Sequence, residues 1–185
     1  PGGESVIRCS PGATSTRKPA ARSRPAPTRA VAAVSGGTTI SDGTLTGTTT
    51  SLRGNIANSG ALFFDQATAG TYAGVLSGNG NLIIANGDVT LTGANTYSGT
   101  TTVQGGTTLR LGTGGSLGAT RLLDVNATGT FDLVGRAQTV GGLTGAGSVL
   151  LGTGGALTVD QATNQTFAGV VAGAGSLIKS GSGTL

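Results

Sequence analysis

Residues 65 to 84 read DQATAGTYAGVLSGNGNLII, and residues 160 to 179 read DQATNQTFAGVVAGAGSLIK. Aligned without gaps at an offset of 95 residues, they are identical at twelve of twenty positions, with Tyr72 matched by Phe167. A chain that repeats itself at a fixed period builds each unit against its neighbour, so self-similarity outranks local propensity as a guide to the fold. Inside the long unit a shorter theme recurs as Gly78 to Ile83 (GNGNLI), Gly145 to Leu150 (GAGSVL) and Gly173 to Ile178 (GAGSLI), the last two related by a 28-residue offset.

Outward from these stretches, short runs alternate apolar and polar residues: Val89-Thr90-Leu91-Thr92, Thr108-Leu109-Arg110-Leu111, Leu123-Asp124-Val125, Phe131-Asp132-Leu133 and Leu157-Thr158-Val159-Asp160. A period of two predicts strands with one buried face. Gly and Asn collect at the breaks (Asn79-Gly80, Asn86-Gly87, Gly105-Gly106, Gly114-Gly115), where the chain must turn sharply. No window carries a helical period. Antiparallel hairpins would use two-residue Asn-Gly turns, for which Asn86-Gly87 alone is suited. The 95- and 28-residue offsets favour a solenoid, in which equivalent strands stack in parallel. A coil of roughly 20 to 28 residues per turn would give about six or seven rungs and a length of about 30 Å. The expected class is therefore all-β, a parallel β-helix over residues 36–185, incomplete at its C-terminal end and open to edge pairing beyond Leu185.

Residues 1–35 differ in kind. They hold all five prolines, the single cysteine (Cys9) and six of the eleven basic residues, against one acidic residue, Glu4. The remaining five Lys/Arg and six Asp nearly cancel, so the net charge of +4 belongs to this segment and not to the array. It reads as a disordered Pro/Arg-rich tail. It has no interleaved aromatics to stack on bases and no amphipathic face for a membrane, so no nucleic-acid partner is expected. A second expectation is that it derives from a misplaced start or another reading frame. With 36 glycines and only six Phe plus Tyr in the chain, no compact aromatic core is available. One cysteine forms no internal disulfide, and no stretch approaches the roughly 20 apolar residues of a membrane helix. The chain begins without Met and ends in mid-pattern, which predicts a fragment.

The stretch Asn81 to Leu109, NLIIANGDVTLTGANTYSGTTTVQGGTTL, closely resembles the autotransporter-associated β-strand repeat, whose pattern runs G-x-L-x-K-x-G-x-G-T-L-T-L-x-G-x-N-T-Y-x-G-x-T-x-V-x-x-G-T-L. Leu91, Gly93, Asn95, Thr96, Tyr97, Gly99, Thr101, Val103, Gly106 and Leu109 match its later part. A second copy opens at Gly175, where Lys179, Gly181, Gly183, Thr184 and Leu185 match. The first copy has Ile84 in place of the lysine, and Asn86-Gly87-Asp88 in place of a longer glycine turn. The resemblance implies a right-handed β-helix in the passenger of a type V secreted protein, carried to the cell surface or secreted through the outer membrane of a Gram-negative bacterium. The implied partner is a C-terminal outer-membrane translocator barrel of the same polypeptide, with a host-surface or polysaccharide ligand beyond it. The implied role is to aid export and folding of the passenger and to present an adhesin-like surface.

The side chains offer little catalysis. The absence of histidine removes Ser-His-Asp and Cys-His systems and most zinc sites. Asp42, Asp65, Asp88, Asp124, Asp132 and Asp160 are scattered singly, and only stacking between rungs would pair them, as in carbohydrate-active β-helix enzymes, the alternative class. Gly78-Asn79-Gly80-Asn81 lacks the aspartate of a calcium-binding nonapeptide, and Gly78 and Gly145 lack the third glycine of a phosphate loop. The threonine runs Thr48-Thr49-Thr50, Thr100-Thr101-Thr102 and Thr107-Thr108 suit either an ice- or polysaccharide-binding face or plain strand propensity, and the latter is the expected reading. No catalytic, cofactor-binding or metal residue is expected, and no cofactor.

Overall fold

In a computed structural model, the described residues are 37–185 and the strand Thr28–Arg29. The expected tail, 1–35, lies outside them apart from that strand. The described residues contain strands and turns and no helix, and every strand pairing is parallel. The chain coils as a three-faced solenoid of about seven turns.

The first face stacks Thr28–Arg29, Thr44–Gly47, Ala61–Asp65, Asn81–Asn86, Thr100–Val103, Leu122–Val125 and Leu143–Gly145. The second stacks Gly70–Tyr72, Val89–Leu91, Thr108–Leu111, Thr130–Asp132, Ser148–Leu150 and Val170–Ala172. The third is in two pieces, Thr38–Ile40 with Ile56–Asn58 and Leu76–Ser77, and Ala137–Val140 with Ala156–Asp160 and Ser176–Ser180. Asn86-Gly87 is not a hairpin turn. It is a corner between the first and second faces, with Gly87 at φ 71°.

Turns lie at the short end of the expected range or below it. Leu45 pairs with Leu62, Leu62 with Leu82 and Thr101 with Leu123. The rung-to-rung step is thus as small as 17, which is also the separation of the bonded pair Thr49 and Gln66, and it widens to 22, the separation of Arg110 and Asp132. Strands of two to six residues and tight corners leave no room for more. The 28-residue spacing is accordingly not one turn, because Gly145 ends a first-face strand whereas Gly173 follows a second-face strand.

Alternation along each strand sends one residue in two to the interior, and parallel register stacks like on like. On the first face the inner column runs Leu45, Leu62, Leu82, Thr101, Leu123 and Leu143. On the second it runs Val89, Leu109, Phe131, Val149 and Val171. All but Val171 are buried, and the apolar ones form one continuous cluster. Each aliphatic chain is worth about 1.5–3 kcal/mol when fully buried, so every rung completes the burial of the one before it.

Corners set the other half of the composition. Backbones of adjacent rungs lie about 4.8 Å apart, which leaves no space for a Cβ directed along the solenoid axis. A Cβ on Gly99 would lie 2.0 Å from the carbonyl oxygen of Gly80, and one on Gly80 would lie 2.5 Å from that of Gly60. Thr128 (φ 67°) and Val134 (φ 50°) take the left-handed region without being glycine, against the usual preference, Val134 together with Gly135 at φ 75°.

Gly99→Ala is expected to cost about 3 kcal/mol in urea unfolding followed by circular dichroism, because backbone must move to admit the methyl. Gly154 has open space around its Cβ direction and φ 75°, so Gly154→Ala should cost only about 1 kcal/mol, the left-handed penalty. Equal costs would mean that rung spacing is not what selects glycine.

Candidate functional site

The Asn95-Thr96-Tyr97-Ser98-Gly99 segment lies where the third face is interrupted between Leu76–Ser77 and Ala137–Val140. There a buried amide joins the pieces. Asn95 Oδ1 accepts the Leu76 N–H at 2.7 Å, and its Nδ2 donates to the Ser116 carbonyl at 2.6 Å, so one side chain links the rung below to the rung above. The Thr96 N–H donates to Leu76 O, and Ala94 bridges Ser116 in parallel. Gln138 continues the splice upward, its Oε1 accepting the Leu117 N–H at 2.8 Å. An unpaired buried amide is costly, and these side chains take over the ladder's bonds where the strands lapse.

Tyr97 and Thr101 belong to the same corner. Thr120 Oγ1 donates to the Leu117 carbonyl at 3.0 Å, so it accepts from Thr101 at 3.0 Å, and Thr101 in turn accepts from the Tyr97 hydroxyl at 2.6 Å. This relay fills the place in the first-face column that leucine holds in the rungs above and below. Burial pushes the Tyr97 pKa up to about 12, opposed in part by its hydrogen bonding to Thr101 and by Thr120. Tyr72 is raised further by burial, its hydroxyl donating to Gly54 O at 2.5 Å.

Gln66 works as Asn95 does, accepting the Thr49 N–H at 2.9 Å and hydroxyl at 3.0 Å and donating to Asp88 O at 2.8 Å. Gln161, its counterpart in the 95-residue repeat, donates to Thr184 O while its buried Oε1 has no partner among the described residues. Sequence reading passed over these buried amides, although Gln66 and Gln161 stand among the twelve identities. A long polar side chain copied unchanged in both units was the available signal.

The acidic residues do not assemble into a catalytic pair. Asp132 lies on the second face and Asp88 just ahead of the strand Val89–Leu91, but Arg110 stands between them, with Nη1 3.8 Å from Asp88 Oδ2 and Nε 3.3 Å from Asp132 Oδ2. Their other oxygens accept the Thr108 and Val134 N–H groups, both at 2.9 Å. Asp160 accepts from the Ser180 hydroxyl at 3.0 Å, and Asp42 caps the Gly43 N–H at 2.7 Å. Asp124 faces outward between Thr102 and Thr144 on the first face. Among the described residues no three His, Cys, Asp or Glu gather as metal ligands.

Nor do the threonines form a flat lattice. Thr49, Thr101 and Thr107 are buried, and the outward column on the first face runs Thr46, Phe63, Ile83, Thr102, Asp124 and Thr144. Lys179, which matches the lysine of the resembled repeat, holds the register position above the buried Val159 and donates to the Ser180 and Gly181 carbonyls. Its counterpart Ile84 is fully buried.

A segment of this chain is similar to an adhesin. Over 51 residues it is 53% identical to the Adhesin BmaC autotransporter of Brucella suis biovar 1 (strain 1330), a match that covers 25% of this chain. The matched stretch spans 2% of that protein's length. No protein-family model and no solved structure matches the chain. The named relative is an adhesin and not an enzyme, and a β-solenoid similar to part of an autotransporter fits a passenger fragment.

Asn95→Leu should cost about 2–4 kcal/mol, since it strands the Leu76 N–H and the Ser116 carbonyl together. Asn95→Asp keeps the acceptor and loses the donor at neutral pH. Protonation restores a donor, so the variant's deficit relative to the parent should shrink as pH falls toward 3, and a pH-independent deficit would refute the splice.

The chain has only two tyrosines, Tyr72 and Tyr97. Both have raised pKa values when folded, so ionisation favours the unfolded chain: their contribution is fully present below pH 10 and is lost as pH rises from 10 towards 12. Ultraviolet titration should therefore show little phenolate at pH 10.5 in the native chain and more than half in urea. Equal titration in both states would contradict the buried relay.

Proposed function

We propose that residues 36–185 are a structural segment of an autotransporter passenger, aiding its own export and folding and holding an adhesin-like surface outside the cell. The repeat at Asn81 to Leu109 is read as an autotransporter-associated β-strand repeat. The reading is supported by the rung-on-rung construction together with the likeness to an adhesin autotransporter. A solenoid whose stability lies in nearest-neighbour contacts can form one rung at a time as chain emerges. Each completed rung buries a further set of aliphatic chains, and that free energy opposes back-sliding without a nucleotide-driven motor. The single cysteine, Cys9, lies outside the array, so no disulfide obstructs an unfolded passage. The expected partner is a translocator barrel in the same polypeptide, and the expected location is the cell surface or the medium beyond a Gram-negative outer membrane.

Placed between an export signal and an autotransporter barrel in a Gram-negative host, the chain should reach the surface and resist added protease. Gly99→Ala in that fusion should lower surface display several-fold at equal synthesis, as measured by antibody labelling of intact cells. Display unaffected by Gly99→Ala, in a variant separately shown to be destabilised, would remove the link between rung stability and export.

A further inference from the structure

The 95-residue repeat does not stack on itself. Ala61–Asp65 and Asn81–Asn86 lie on the first face, whereas their counterparts Ala156–Asp160 and Ser176–Ser180 lie on the third. The strand between them obeys the same shift: Tyr72 is on the second face, and Phe167 bridges Gly145 on the first. Leu76 is on the third face, and Val171 is on the second. Counted along the faces, the second copy begins four and two-thirds turns after the first. Internal register is nonetheless preserved, since Leu62 pairs with Leu82 as Leu157 pairs with Leu177, the same one-turn step in each copy.

The six-residue theme explains how this is tolerated, because its three copies stand one at each of the three kinds of corner. Gly78, Gly145 and Gly173 have φ of 95°, 107° and 113° where the chain passes from third to first, first to second and second to third face. Two residues on, a Cβ on Gly80, Gly147 or Gly175 would lie 2.5, 2.6 or 2.4 Å from the carbonyl oxygen of Gly60, Gly129 or Gly155. The next N–H, from Asn81, Ser148 or Ser176, donates to that same oxygen at 2.8, 2.9 or 2.8 Å. The three corners share this contact and this hydrogen bond.

We infer that the 95-residue unit is face-neutral and that successive copies present their exposed loops a third of a turn apart around the shaft. The loop concerned is Asp-Gln-Ala-Thr: Asp65, Ala67 and Thr68 are exposed about buried Gln66, and Asp160, Ala162 and Thr163 about buried Gln161. The first loop follows a first-face strand and the second a third-face strand. Each unit advances about 22 Å along the axis, and three units restore the starting face. The inference does not depend on the export reading.

Two experiments on the full chain test it. With Cys9→Ser, Thr139→Cys and Thr158→Cys, spin labels should show strong dipolar broadening, since Thr158 is the register neighbour of Thr139 on the third face even though its counterpart Phe63 lies on the first. Absence of broadening overturns the placement. Separately, residues 66–160 are duplicated in tandem, with duplication of residues 62–81, a single whole turn, as control. Both chains should keep their β signal and melt cooperatively, lengthening by about 22 Å and about 5 Å in X-ray scattering. Loss of structure in the 95-residue duplication while the one-turn control folds would show that the faces are not interchangeable.

Discussion

Parallel stacking at about 4.8 Å per rung is the constraint from which the rest of this molecule follows. It allows two kinds of residue along its lines of contact. Inside, aliphatic chains extend sideways from the backbone and stack like on like, as the unbroken leucine register from Leu45 to Leu82 shows. At corners, where the Cβ direction swings toward the neighbouring rung, only hydrogen fits, and Gly99 above Gly80 above Gly60 is the result. A composition poor in aromatics and rich in glycine is therefore what a narrow, many-cornered coil requires. Among the described residues only four rings are fully buried, Phe64, Tyr72, Tyr97 and Phe131.

The same spacing makes buried polar groups useful. An amide side chain is long enough to reach one rung in each direction, and its donor and acceptor match the unpaired carbonyl and N–H that a lapsed strand leaves behind. Asn95 and Gln66 each satisfy two neighbours in this way, which fixes stacking order and rotational register together. A leucine in either place would fill the space but leave those backbone groups unpaired, and it would specify less. The Tyr97 to Thr101 to Thr120 relay makes the point within the apolar column itself: its direction is set by the Leu117 carbonyl, so only one neighbouring rung completes it. The surface ladder of Asp88, Arg110 and Asp132 adds far less, being exposed and screened.

Architecture was legible in the sequence because both periods that define it are local. Alternation in runs such as Thr108 to Leu111 marks the strands, and glycine pairs mark the corners. What could not be read was phase. The 95- and 28-residue offsets look like multiples of a rung, yet they contain thirds of a turn, since nothing within Ala61–Asp65 or Ala156–Asp160 says which face it will occupy. Face is decided by how many corners precede a strand. Burial within the threonine runs was hidden for a related reason: Thr101 is indistinguishable from Thr100 and Thr102 in sequence, and only alternation, counted from Thr100, turns it inward. At Thr128 and Val134 the adjoining Gly129 and Gly135 mark a turn, but nothing local says that the residue before the glycine also takes a left-handed φ.

Local coding with interchangeable corners has a consequence for how such a chain grows. Because a strand takes its face from the rung already formed, a new unit needs no information from distant parts of the sequence to be placed, and insertion or loss of a unit leaves all earlier rungs intact. The cooperative nucleus is correspondingly small: it need contain only enough rungs to bury one aliphatic layer and to offer the amide splices their partners. Folding that advances from a completed rung is also the kind of folding that can accompany delivery of chain from one end. The property that blurs the repeat's phase in sequence, its indifference to face, is therefore the property that suits a long shaft assembled in order from a thread.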